Sequence, residues 1–97
     1  MREINVQLIE AALADPARYR ALDLICGCET ITSQALCEKL GLTAATISHH
    51  LRQLRLALLI ESIKDGRWRL HKVRRETLDA YVEALSALGS LERPGEG

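Results

Sequence analysis

Aromatic side chains are almost missing from this sequence. Its 97 residues include no Phe, one Trp and two Tyr, although hydrophobic residues of all kinds make up 47% of the chain. The core must therefore be built from Leu, Ile, Val and Ala, a composition that suits helices better than sheets. A chain of this length makes one small domain, and such protomers often gain stability by burying surface against a second copy.

Long apolar runs are also missing. The opening residues, MREINVQLIE, lack the apolar core of a secretory signal, and no window approaches membrane-spanning length. The three cysteines are an odd number in a chain without such a signal, so we expect reduced thiols, a cytoplasmic location and no membrane partner. The sequence has no nucleophile–base constellation, phosphate loop or carboxylate pair in a cleft, so we predict that the protein is not an enzyme.

Net charge is also absent, because thirteen basic residues balance thirteen acidic ones. The distribution is uneven, however. Residues 43–75 carry eight basic side chains and two acidic ones, which leaves five basic and eleven acidic elsewhere. Positive charge concentrated in one segment is typical of a surface that binds phosphate, although a solvated basic face is the simpler alternative.

The segment 32–54, TSQALCEKLGLTAATISHHLRQL, has the pattern of a helix-turn-helix. Gly41 provides the left-handed backbone of a tight turn between two amphipathic helices, and Thr43 can cap the second helix. The apolar positions of the two helices form one shared seam, made of Leu36, Leu40, Leu42, Ile47, Leu51 and Leu54. We interpret this segment as a unit that reads DNA.

The outward face of the second helix carries the candidate DNA contacts. A helical period places Ala45, Ser48, His49 and Arg52 outward, with Thr43, Ala44 and Thr46 around the N-terminus, where backbone N–H groups favour a phosphate. His50 faces the core side and is expected to be a packing residue. Adjacent histidines on a helix are poorly placed to chelate, so we predict no metal site at this pair.

A β-hairpin follows this helix. Residues 57–63 and 67–73 are predicted strands, joined by an Asp-Gly turn at residues 64–66. On the second strand, Trp68 and Leu70 are expected on one face and His71 on the other, together with the arginines. The basic residues Lys64, Arg67 and Arg69 suit phosphates or the neighbouring minor groove.

Three further helices are predicted, over residues 2–14, 17–25 and 75–89. Asp15 and Pro16 begin the second of these, and Gly27 ends it. The first helix has two apolar faces, and the last has one apolar stripe, so both are predicted to contribute to a homodimer interface. The residues assigned to it are Ile4, Leu8, Leu78, Tyr81, Val82, Leu85 and Leu88. Residues 1–90 form the predicted domain, and residues 91–97 a disordered tail.

The stretches LADPARYRAL, LCEKLGLT, TISHHLRQL and DGRW together resemble the ArsR/SmtB winged-helix repressors, and the resemblance covers essentially the whole chain. It implies a mainly α fold with a small β-hairpin, in which four helices precede the hairpin and a fifth follows it. It also implies a homodimer joined through its first and last helices. Such a repressor occupies a double-stranded DNA operator and leaves when an effector, often a metal ion, binds.

The effector sites of that family are not preserved in this sequence. The usual thiolate pair falls on Thr32 and Gln34, and the last helix offers Glu76, Asp79 and Glu83 but no histidine. What remains are the cysteines at positions Cys26, Cys28 and Cys37. Together they suit a thiophilic metal or metalloid such as arsenite, or a redox sensor. The competing interpretation makes Cys37 the small residue at the helix crossing and Cys26 a buried helix-end residue.

The function predicted from the sequence is therefore sequence-specific DNA binding by a transcriptional regulator, an effector-released repressor. A thiol-based sensor is an alternative compatible with it. Another alternative is a winged helix used only for protein–protein contact, which is favoured by Ala44 and Ala45 because alanine reads bases poorly. Arg52 and the basic hairpin favour DNA.

Overall fold

The first turns of the helices are fixed by side chains that cap them. In the computed structural model, which describes residues 3–90, Asp15 accepts hydrogen bonds from the backbone N–H groups of Ala17 and Arg18. Asn5, Thr32 and Thr43 each cap a helix in the same way. The elements are α1 (Val6–Leu13), α2 (Pro16–Cys26), β1 (Ile31–Thr32), α3 (Ser33–Leu40), α4 (Ala44–Leu56), β2 (Ile60–Asp65), β3 (Trp68–Val73) and α5 (Arg75–Ser86).

This order confirms the predicted architecture of four helices, a hairpin and a fifth helix. Two predicted helix ends were wrong. The first helix begins at Val6 because Asn5 is extended and caps it, so a start at Arg2 does not hold. The last helix ends at Ser86, and residues 87–90 form turns. The predicted tail, 91–97, lies outside the described residues.

Helices α3 and α4 meet at the predicted glycine. Gly41 has φ +67°, in the left-handed region, and its N–H donates to the Cys37 carbonyl. The apolar seam between the helices is buried: Leu36, Ile47, Leu51 and Leu54 are all 3% exposed or less. The predicted helix-turn-helix packing is therefore confirmed.

The sheet differs from the predicted hairpin in three respects. Helix α4 continues to Leu56 and is followed by a turn at residues 57–59, so β2 starts at Ile60 rather than at residue 57. Asp65 pairs with Trp68, which makes Gly66 and Arg67 the turn residues, with φ +64° at Gly66. In addition, β1 pairs antiparallel with β3, giving the strand order β1-β3-β2. The strand β1 was not predicted, because a two-residue strand is too short to show an alternating pattern.

The core lies between α1, α2, the helix-turn-helix and the sheet. From α1, Ile9 and Ala12 are buried and Leu13 packs against the core, whereas Leu8, which is predicted to lie at the dimer interface, is exposed. One apolar side of α1 thus meets the core and Leu8 lies outside it, which agrees with the prediction of two apolar faces. Helix α5 packs Thr77, Leu78 and Tyr81 inward. Within residues 3–90, no helix combines the length and apolarity needed to cross a lipid bilayer.

Candidate nucleic-acid interface

An open groove of about 680 Å³ separates the outward side of α4 from β3. The residues that line it are polar or small except for one leucine, and three of them are arginines: Ser33, Ala44, Ala45, Ser48, His49, Leu51, Arg52, Arg55, Arg69 and His71. None of this lining set is acidic. We call this surface the basic groove. Its size and charge suit an extended anion rather than an apolar ligand.

Helix α4 supplies one wall of the basic groove. Ala45, Ser48, His49 and Arg52 are exposed, as the helical period predicted, and Ala44 is exposed beside them. At the N-terminus, the hydroxyl of Thr43 accepts from the backbone N–H of Thr46 at 3.2 Å and donates to the Thr46 hydroxyl at 3.0 Å. The Thr43 hydroxyl therefore caps the helix and also binds the Thr46 hydroxyl.

The hairpin supplies the opposite wall. Arg69 lines the groove, whereas Lys64 and Arg67 are exposed nearer the hairpin tip and are outside the groove lining. The guanidinium carbon of Arg67 lies 5.3 Å from the centre of the Trp68 ring, a cation–π contact that holds it in place. Lys72 pairs with Glu61 at 3.6 Å. The structure thus divides the predicted hairpin contacts into one groove residue and two tip residues.

His49 and His50 separate as predicted. His49 is exposed and lines the groove, while His50 is 6% exposed and accepts a hydrogen bond at Nδ1 from Arg18 Nε, 3.3 Å away. Burial is the main cause that lowers the pKa of His50; Asp15 opposes the shift. The neighbouring side chains therefore belong to different parts of the molecule, one to the surface and one to the packing of α2 against α4.

A chain of hydrogen bonds runs along one side of the groove. Arg55 Nη1 donates to the Ser62 hydroxyl at 3.2 Å, and that oxygen lies 2.7 Å from His71 Nδ1. The other ring nitrogen, Nε2, lies 2.8 Å from the Ser33 hydroxyl. Burial, reinforced by the positive charges of Arg55 and Arg69, lowers the pKa of His71 to about 4. The imidazole is therefore neutral at pH 7, with one nitrogen donating and the other accepting.

Sequence reasoning missed Arg55 and His71 as groove residues. His71 was correctly placed on the strand face with Arg69, but it is buried, at 1% exposure. The spacing of Ser48, Arg52 and Arg55 along the helix is a signal that could have identified Arg55, since residues three and four apart share one face.

The three cysteines are free, and the structure does not gather them into one site. Cys26 and Cys37 are half-buried against the core, and Cys28 is exposed. In the part of the chain that is described, no three or more His, Cys, Asp or Glu side chains lie close enough together to hold a metal ion. Burial raises the pKa of the Cys26 thiol, which disfavours its thiolate. This arrangement favours packing roles for Cys26 and Cys37.

The predicted dimer residues lie on two helices and the segment before α1. Val82, Leu85 and Leu88 are exposed on or just after α5, and Leu8 is exposed on α1. Ile4, Leu78 and Tyr81 are half-buried against the core. Large exposed apolar side chains such as Val82, Leu85 and Leu88, which recur along one helix and just after it, are typical of an association surface.

The chain resembles known proteins in both sequence and structure. A family described as a helix-turn-helix domain matches residues 13–63. The arsenical resistance operon repressor of Staphylococcus xylosus is 27% identical over 89 residues, which cover 92% of this chain and 85% of that protein.

Solved structures with this fold include two from actinobacteria. An ArsR-like transcriptional regulator from Rhodococcus sp. RHA1 superposes with a TM-score of 0.81 at 24% identity, over 91% of this chain and 82% of that one. A homodimeric winged helix-turn-helix DNA-binding domain from Mycobacterium bovis gives 0.71 at 21% identity, over 95% and 86% of the two chains.

Proposed function

This chain belongs to the helix-turn-helix domain family, as a DNA-binding transcriptional regulator of the ArsR type, and from that premise we propose that it is a dimeric repressor released from its operator by an effector. Helix α4 is its recognition helix, and the β2–β3 hairpin is its wing. The contacts are assigned to Thr43, Ala44, Ala45, Thr46, Ser48, His49 and Arg52 in the helix and to Lys64, Arg67 and Arg69 in the wing.

The basic groove is the observation that carries this proposal. Exposed polar groups of α4, together with Arg52 and Arg55 of the same helix, lie across the groove from Arg69 of β3, and the lining set includes no carboxylate. A helix of this diameter fits the major groove, where side chains near its N-terminus reach base edges. Arg67 and Lys64, which project at the tip of the wing, are placed for phosphates or the adjacent minor groove.

A two-fold dimer would present two recognition helices to one duplex. The exposed apolar residues of α1 and α5 supply a surface for pairing, and the M. bovis structure is a homodimer. Symmetry then requires two half-sites about 34 Å apart, one turn of DNA, or a multiple of that distance.

We place the effector among thiophilic species, on the basis of the S. xylosus relative's name and the exposed free thiol of Cys28. An effector can drive release only if it binds the free protein more tightly than the DNA-bound protein. Titration of the protein–DNA complex with arsenite, repeated on Cys28→Ser, tests this assignment. Release of DNA by arsenite from the wild type alone supports it, and no release, or equal release from both proteins, contradicts it.

The experiment for the function as a whole is a fluorescence anisotropy titration with duplex DNA from upstream of the protein's own gene and with a scrambled duplex. We expect tighter binding to the upstream duplex, and an affinity that falls as salt rises. Arg52→Ala should weaken binding to the upstream DNA by about tenfold or more if it pairs with a base. Arg20→Ala removes an equal charge from the exposed side of α2 and is the matched control. Absence of salt-dependent binding would contradict the proposal.

A further inference from the structure

Arg55 lies one turn beyond Arg52 on the groove side of α4. We infer that Arg55 binds a DNA phosphate between the recognition helix and the wing, and that the hydrogen-bond chain Ser62–His71–Ser33 holds its guanidinium in place for that contact. The inference rests on the proposed DNA-binding function and adds a residue, with a chain that positions it, to the predicted contacts.

The geometry leaves Arg55 free to bind an anion. Its side chain is half-buried, and within residues 3–90 it makes one hydrogen bond, from Nη1 to Ser62. A guanidinium carries five N–H donors, so the remaining donors can take a phosphate in the bidentate geometry that arginine favours. No ion pair within the described residues neutralises Arg55. Its charge therefore adds to those of Arg52 and Arg69 in the basic groove.

Ser62, which accepts the hydrogen bond of Arg55, belongs to a chain of residues from three elements. Ser62 lies on β2 and bonds His71 on β3, and His71 bonds Ser33, the first residue of α3. The imidazole is fully enclosed and neutral, so it keeps one donor and one acceptor for the two serines. A guanidinium anchored to such a chain loses less side-chain freedom when it binds DNA.

This chain also joins the recognition helix to the wing. Arg55 belongs to α4, whereas Ser62 and His71 belong to the hairpin that carries Arg67 and Arg69. A fixed distance between the helix and the wing lets both reach their parts of the duplex together. If Arg55 only linked α4 to β2 and did not touch DNA, its replacement would lower stability but would leave the number of phosphate contacts unchanged.

Salt dependence separates these two roles. Anisotropy titrations of the full chain on one upstream duplex, at several salt concentrations, should show that Arg55→Gln weakens binding about tenfold and lowers the log–log salt slope by about 1. Arg55→Lys keeps the charge, so its slope should match wild type while its affinity falls by a smaller factor. Ser62→Ala should also keep the slope and weaken binding severalfold, because Arg55 then loses its anchor.

The control is Arg20→Gln, which removes an exposed charge of α2 outside the groove lining and should change neither quantity. Thermal unfolding of each variant shows whether it is folded. If Arg55→Gln is not folded, Ser62→Ala preserves the test, because its severalfold loss of affinity at an unchanged slope is expected only if Ser62 positions a DNA-binding Arg55. Wild-type affinity of a folded Ser62→Ala would then overturn the inference. A wild-type slope for Arg55→Gln would overturn the assignment of Arg55, even if that variant were less stable. If the wild-type protein itself fails to bind DNA, the proposed function falls first, and the two failures are distinguishable.

Discussion

Arg18 Nε donates a hydrogen bond to His50 Nδ1 across 3.3 Å, and this contact joins α2 to the recognition helix. A second nitrogen of the same guanidinium, Nη1, lies 3.4 Å from the Ala11 carbonyl oxygen. One arginine therefore connects three helices. Because Nδ1 accepts, the neutral imidazole carries its proton on Nε2. His50 is a structural residue, although the adjacent His49 lines the basic groove.

Replacing each histidine by alanine should separate stability from DNA binding. His50→Ala removes the acceptor of Arg18 and leaves a small cavity, so we expect it to lower the free energy of unfolding by about 1–3 kcal/mol. His49→Ala removes an exposed side chain and should change stability by no more than about 0.5 kcal/mol, but should weaken operator binding. Urea denaturation and anisotropy measure the two quantities. Equal loss of stability in both variants would contradict the division of roles.

The neutral state of His71 makes the fold sensitive to acid. Burial lowers the pKa of His71 to about 4, below the ordinary value of 6.5, so between these values the unfolded chain binds a proton that the folded chain does not. The free energy of unfolding should therefore fall as pH drops from about 6.5 to about 4, by roughly 3 kcal/mol from this residue. Below about pH 4 its contribution becomes constant.

The control for this acid effect is His71→Gln, whose amide keeps one donor and one acceptor group but does not titrate. The pKa of His50 is lowered too, so some acid sensitivity should persist in the variant. The difference between the wild-type and variant pH profiles isolates His71. Parallel profiles between pH 4 and 6.5 would show that His71 does not titrate in the expected way.

Leu58 holds a left-handed backbone conformation, with φ +60°, between α4 and β2. A side chain with a Cβ atom in this region costs about 1–2 kcal/mol, and glycine avoids that cost. Leu58→Gly should therefore be about 1 kcal/mol more stable to urea than Leu58→Ala, which keeps the strain and differs by a single methyl group. An alanine variant as stable as the glycine variant would show that the turn is unstrained.

The exposed stripe of α5 should control association. Leu85→Glu places a charge on the predicted dimer surface, and we expect the variant to run as a monomer in analytical ultracentrifugation at concentrations where wild type is a dimer. Ile63→Glu is the matched control, because Ile63 is equally exposed, at 44%, but lies on the wing. A dimeric Leu85→Glu protein would place the association surface elsewhere.

Local chemistry explains which features could be predicted from the sequence. Gly41 and Thr43 determine their turn and cap through their own backbone and side chain, so the helix-turn-helix was predictable. The turn of the hairpin was not, since the pairing of Asp65 with Trp68 depends on the register of two strands. The chain from Arg55 to Ser33 spans four separate elements, and only tertiary packing brings them together.

Amide chemical-shift mapping by NMR tests most directly which face of the molecule binds DNA. Titration of the labelled protein with its upstream duplex should move the amide signals of residues 43–55 and 64–71 most, with smaller changes on the outer side of α1 and α5. Shifts concentrated on α1 and α5, with the recognition helix unaffected, would contradict the assignment of the basic groove as the DNA-binding surface.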